Sequence, residues 1–179
     1  MNFKLSLLGI FFSVILVAQN NPTIKFEGKT YTVYSFFDTD INKLLHAIKY
    51  SDQVSDGNWI VPFPGTQKPA YLFSIIDGKL EGQWTSYYKT GLKKLSGIYS
   101  NNKKEKLWKS WHPSGKAMEE SVFLDDGFYR MVNRWDINGT PTVTNGLGKY
   151  FIEIDGATYI ATVRSGIVIS QEKYEPKAE

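Results

Sequence analysis

Cysteine is missing from this chain altogether, and only two histidines are present. The first absence rules out disulfides, thiolate metal sites and lipid attachment through a cysteine. Cohesion must then come from a packed core, which a domain of about 160 residues can build. The second absence leaves little material for acid–base or metal chemistry. His46 is expected on the polar side of a short helix, in solvent. His112 sits in a turn whose counterparts in the chain's own repeats are Tyr88 and Asp136, so the position reads as a turn slot and not a ligand. No glycine cluster lies between a strand and a helix, which excludes a phosphate loop. Asp125-Asp126-Gly127 lacks the alternating oxygens of a calcium loop and reads as a turn. No cofactor and no metal is expected.

Long apolar runs are lacking too, with one exception. Leu5 to Ala18 is an uncharged, mainly apolar stretch behind Lys4, broken only by Ser6 and Ser13. As a helix it spans roughly 21 Å, short of the ~30 Å hydrocarbon core. Residues 1–18 therefore read as a secretory signal peptide, with an uncleaved anchor as the alternative. The expected location is outside the cytoplasm: periplasm, cell surface or medium. Nucleic acid is not an expected partner there.

Aromatic residues, at 15% of the chain, are what it has in plenty. Thin β-hairpin layers need such large flat side chains, because each layer has few core positions. The aromatics are also periodic. Trp84, Trp108 and Val132 fall in one evenly spaced register, Tyr87, Trp111 and Trp135 in a second, and Gly91, Gly115 and Gly139 in a third. Tyr99, Phe123 and Leu147 form a fourth register, and Asp77, Asn101 and Asp125 a fifth, all with the same step. A fixed step of this length means a repeat architecture, here one hairpin per step. Because Trp108 and Trp111 are three apart, strict alternation puts them on opposite faces unless a bulge or a strand end intervenes.

The flanks differ in texture. Thr23 to Tyr34 alternates around Glu27-Gly28-Lys29 and predicts a hairpin. Asp40 followed by Ile41, Leu44, Leu45 and Ile48 predicts a short helix near residues 41–49. Together, residues 22–58 are expected to cap the open end of the sheet. The array is assigned to residues 59–148. Its first copy, with Trp59 and Gly65, is made irregular by Pro62, Pro64 and Pro69, so edge-like or interrupted strands are expected. Asn145-Gly146-Leu147-Gly148 reads as a flexible corner. Residues 149–170 are expected to form a hairpin cap around Asp155-Gly156, with Ser165-Gly166 as a candidate second turn, and 171–179 a disordered tail.

The pattern G-x-W-x-x-Y-x-x-x-G from Gly82, Trp84 and Tyr87 to Gly91, echoed up to Gly115 and Gly139, resembles a MORN-type repeat. It is most similar to the variant found in bacterial proteins labelled YwqK-type antitoxins. Lys106 and Arg130 replace the glycine of this pattern, and Val132 the tryptophan. The resemblance covers about residues 57–150. It implies an all-β fold: an elongated single-layer antiparallel sheet of successive hairpins, with a short N-terminal helix added here. It also implies an interaction surface, which some relatives direct to membranes or scaffolds.

Two candidate surfaces follow. Between Lys79 and Lys116 nine lysines face only Glu81 and Glu105, whereas Ala117 to Asp136 holds five acidic residues against Arg130 and Arg134. Lys93, Lys94, Lys103 and Lys104 form the candidate basic face for an anionic envelope polymer, lipid headgroups or an acidic protein. Trp84, Trp108, Trp111 and Trp135 either form the spine between hairpins or remain exposed as a docking surface. Glu119 and Glu120 alternate, one of them toward solvent. The expected function is a non-catalytic binding or scaffold module of the envelope. The alternatives are an antitoxin-like or immunity-like protein and, least favoured, an envelope enzyme.

Overall fold

The structure is a computed structural model, and it describes residues 23–33, 55–124 and 128–176. The expected signal peptide, the helix near 41–49, His46 and Asp125-Asp126-Gly127 lie outside the described residues. Within them the protein is all-β. In chain order the strands are β1 (Thr23–Phe26), β2 (Lys29–Val33), β3 (Gly57–Pro62), β4 (Pro69–Ile76), β5 (Lys79–Leu80), β6 (Gly82–Tyr87) and β7 (Lys93–Ser100). They continue as β8 (Lys103–Trp111), β9 (Ala117–Phe123), β10 (Tyr129–Trp135), β11 (Pro141–Thr144), β12 (Leu147–Ile154), β13 (Ala157–Arg164) and β14 (Ile167–Lys173). All belong to one open sheet in which neighbours in sequence are neighbours in space, β5 pairing beside β6 on β4.

The regular step is visible in the turns. At the outer ends, the amide of Gly91 donates to the Tyr88 carbonyl, that of Gly115 to His112 and that of Gly139 to Asp136. These glycines share φ values of 93°, 86° and 90°, a left-handed conformation that a Cβ would strain. Next to each turn the returning strand carries one extra residue: Lys94 opposite Ser86/Tyr87, Met118 opposite Ser110/Trp111, and Thr142 opposite Arg134/Trp135. Such bulges sharpen local twist, and here one recurs beside each of these three turns. At the inner ends, Asp77-Gly78 and Asn101-Asn102 have both φ angles positive, as a two-residue hairpin turn with right-handed strand twist requires.

Tryptophans fill the core. Trp59, Val61, Phe73, Ile75, Leu80, Trp84, Tyr99 and Trp108 form one buried cluster on one face. Across β4 to β10 the rings of Phe73, Trp84, Tyr99, Trp108, Phe123 and Tyr129 follow one another at centroid distances of 5.3, 5.5, 5.2, 5.9 and 5.7 Å. Each such contact contributes about 0.5–1.5 kcal/mol beyond area burial. Tyr87 belongs to a different cluster, with Tyr31, Ile60 and Leu72. Residues three apart on one strand thus serve opposite faces, which answers the spacing of Trp108 and Trp111: Trp111 ends β8 and the bulge lies on β9.

Several expectations need correction. The first, proline-marked copy is not edge-like: β3 lies between β2 and β4, and Trp59, Ile60 and Val61 are among the most buried residues. Pro62 and Pro69 are tolerated because they pair at the strand ends, where the register shifts. The sheet is not wholly antiparallel, since β2 runs parallel to β3. Asn145-Gly146 is no flexible corner. The Gly146 amide donates to the Val132 carbonyl, the Gly166 amide to Gly146, and the Met131 amide to Gly166. A Cβ on Gly146 would meet the Gly166 nitrogen at 2.6 Å, so the two turns interlock against β10. The C-terminal cap is three strands, β12 to β14, and β14 continues to Lys173, into the expected tail.

Val132 is the last correction. It does not occupy the place of Trp84 and Trp108: it is the extra residue between the paired Met131 and Asn133, and Met131 is buried instead. Met131 packs with Val143 and Val163 in a separate small core.

Candidate functional site

Alternation and bulging divide the four candidate lysines between surfaces. Lys93 pairs with Tyr87 and lines a cleft on the face of Tyr31 and Tyr87. Lys94 is the bulge residue, exposed, with its ammonium 5.9 Å from the centre of the Tyr88 ring. Lys103 is exposed at the end of the Asn101-Asn102 turn. Lys104 lies on the aromatic face, 4.4 Å from the Trp108 ring centre and 5.2 Å from that of Phe123. Burial among those rings pushes its ammonium pKa down. The four lysines therefore do not form one basic face. Lys104 is a lid on the core, attracted by ring quadrupoles.

The tryptophans separate as well. Trp84 and Trp108 are each 2% exposed and belong to the spine, so they present no docking surface. Trp108 donates from Nε1 to the Ile98 and Glu105 carbonyls, and Gly97 leaves room for its ring. Trp111 and Trp135 are half-buried at strand ends. Their carbonyls take bonds from the preceding step: the Tyr88 hydroxyl donates to Trp111 at 2.7 Å, and His112 Nε2 lies 3.1 Å from the Trp135 oxygen. His112 is thus a stitch between hairpins. Asp136, in the same register, accepts from the amides of Thr140 and Asn138, and the Thr140 bond first, then that of Asn138, holds its carboxyl below the usual carboxylate range.

Across β6 to β10 the face opposite the aromatic ladder carries a polar row. A row of cross-strand partners runs Thr85, Ser96, Lys109, Glu120, Asn133. Thr85 and Ser96 hydroxyls are 3.2 Å apart, Lys109 Nζ is 2.7 Å from Glu120, and Asn133 Nδ2 donates to Glu120 at 2.8 Å. Glu119, on the other face, bonds Arg134 and Ser121, and the Arg134 guanidinium lies 4.2 Å from the Tyr150 ring centre. Neither glutamate is free in solvent, contrary to the alternation argument alone. Lys109 first, then Asn133, holds the Glu120 carboxyl below its ordinary value.

At the N-terminal end this polar face becomes a cleft, which sequence reasoning missed. The Phe26 ring reaches Tyr87 at 6.2 Å although β2, β3 and β4 separate their strands. The first hairpin therefore curls over the polar face. It encloses about 270 Å³ lined by Glu27, Lys29, Tyr31, Asn58, Ser74, Gln83, Thr85, Tyr87, Lys93 and Ser96, with Leu72 and Phe73 beneath. Gln83 Nε2 donates to Ser96 at 2.7 Å and Ser74 to Asn58 Oδ1 at 2.8 Å, fixing amide and hydroxyl orientations. Burial, with Glu27 adding to it, raises the Tyr31 pKa; burial, then Glu27 and Tyr31, pushes that of Tyr87 up to about 12. Both phenols are neutral at ordinary pH and available as donors. A run of hydroxyls and amides in period 2 around Thr85 was the signal present in the sequence, but nothing local announced the curl.

Among the described residues, no group of three or more His, Cys, Asp or Glu side chains is placed to hold a metal ion. No protein family, curated protein or solved structure matches the chain.

Proposed function

We propose that this chain is a non-catalytic binding or scaffold module of the cell envelope, exported by its N-terminal segment, built as a MORN-like array. The observation that carries the reading is the constancy of its outer turns. Three hairpins repeat the same glycine geometry and the same bulge, and two are stitched to the next by side chains bonding a carbonyl 23 residues on. Such a frame presents side chains at a fixed pitch, which an extended protein or polymer can follow. Two acid–base pairs on its faces, Glu119 with Arg134 and Glu120 with Lys109, are tied up in structural bonds, which favours binding over catalysis there.

The test has two parts. Mass spectrometry of the native protein should find its N-terminus at or near Gln19, and full-length chain recovered from the cytosol would refute export. Immobilised protein should retain a defined component of envelope fractions, and the combined substitutions Lys93→Glu, Lys94→Glu and Lys103→Glu should abolish retention. Lys104 is left in place because it packs on Trp108. Capture of a toxic protein that loses its toxicity on binding would instead favour the immunity-like reading.

A further inference from the structure

The geometry points to the cleft under the first hairpin as a binding site for an acidic sugar unit, one carboxylated ring of a polysaccharide. This rests on the envelope-binding reading and names the ligand class of one site within it. The cleft is lined mainly by polar groups, with the Tyr31 and Tyr87 rings and Leu72 as its apolar part. Among the described residues neither the Tyr31 nor the Tyr87 hydroxyl has a hydrogen-bond partner, and both line the cavity. Thr85, Ser96 and Gln83 are held by one another, so their remaining donors and acceptors are preset. A ligand must therefore bring many hydroxyls, as a sugar ring does.

Charge sets the rest. Lys29 and Lys93 against Glu27 leave the lining with one net positive charge (two minus one). That balance suits a single carboxylate, with Glu27 accepting from a ring hydroxyl. A peptide fits poorly for two reasons. The strands of the cleft floor are paired on both sides, so the floor offers no edge for main-chain pairing. The buried apolar residues below, Leu72 and Phe73, are 6% and 2% exposed and leave no pocket for an apolar anchor. The volume, about 270 Å³, lies just under the usual range for small-molecule sites and suits one ring at a time.

Isothermal titration of the folded protein with tetragalacturonic acid tests this, with tetraglutamate and neutral chitotetraose as comparators. Tetragalacturonate should bind. Tyr87→Phe and Lys93→Met should each weaken it about five- to tenfold, the scale of one lost hydrogen bond or exposed charge contact. Both variants keep the packing around them, and unchanged circular dichroism confirms that they fold. Absence of binding, equal binding of tetraglutamate, or affinity indifferent to both substitutions overturns the proposal. If tetragalacturonate does not bind while the native protein still retains the envelope component in the pull-down, the cleft assignment fails and the broader reading stands.

Discussion

The second and third repeats fill equal lengths of chain in different ways. Four residues separate the paired Tyr99 and Lys104, and β8 then fits three residues, Lys106 to Trp108, opposite the single Gly97. In the third repeat five residues separate Phe123 and Tyr129, and β10 has only one extra residue, Val132. A residue has moved from the bulge into the turn. The step survives, but the large bulge that admits a tryptophan does not, and Met131 replaces it in the core. The difference teaches that the period is kept by the outer turns, whereas the inner half of each repeat can trade turn length for bulge length.

If that is right, the two repeats should respond unequally to truncation at the same register. Trp108→Ala is the largest expected effect: loss of a 2% exposed ring with neighbours Tyr99 and Phe123 should cost about 3–5 kcal/mol. Val132→Ala, at a half-buried bulge, should cost under about 1 kcal/mol. Urea unfolding midpoints compare them, and similar losses would contradict the exchange of roles. The next effect is Gly97→Ala. Its Cβ would stand 2.1 Å from the Trp108 ring, in the middle of the indole, where nothing flexible can give way. A loss of about 1–3 kcal/mol is expected. It should be much smaller in a Trp108→Ala background, because the clash is with that ring.

Much of this frame was legible in the sequence, because turns and alternation are local. The glycines at 91, 115 and 139 gave the outer turns, and Glu27-Gly28 and Asp155-Gly156 gave hairpins that are present in β1–β2 and β12–β13. Of the four tryptophans expected in the spine, Trp84 and Trp108 are in it, whereas Trp111 and Trp135 sit half-buried at strand ends. What failed depends on contacts distant in sequence. The parallel pairing of β2 with β3, the curl that brings Phe26 to Tyr87, and the docking of Ser165-Gly166 on Met131 leave no short-range mark. The candidate lysines were grouped by charge, but Lys93 lines the cleft, Lys94 is the bulge and Lys104 sits on Trp108. Charge counts carry no information about facing.

The ladder that the third repeat interrupts also has a pH signature. Burial pushes the Tyr99 phenol up to about 12, from an ordinary value of 10.0. The unfolded chain then releases this proton before the folded one does. Stability is fully present below about pH 10 and falls as pH rises toward 12, on the order of 2 kcal/mol over that window. Tyr99→Phe should flatten the decline in unfolding free energy, and an unchanged slope would place the loss elsewhere.

The smallest effect is the most discriminating, because one substitution should have opposite signs in the two repeats. Lys106 stands where the first regular repeat has Gly82, and both are in the left-handed region, at φ 58° and 80°. For lysine that conformation costs about 1–2 kcal/mol, and its exposed side chain adds no packing in return. Lys106→Gly removes the strain at the expense of greater freedom in the unfolded chain, so a net gain of about 0.5–1 kcal/mol is expected. Arg130 holds the same register in the third repeat, where the smaller bulge leaves its φ negative. There a glycine relieves nothing and frees the backbone, so Arg130→Gly should cost about 0.5–1 kcal/mol. Thermal melting of the two single variants reads the contrast directly. Loss of stability in both would mean that Lys106 is unstrained, and a gain in both would mean that the third repeat keeps the larger bulge after all.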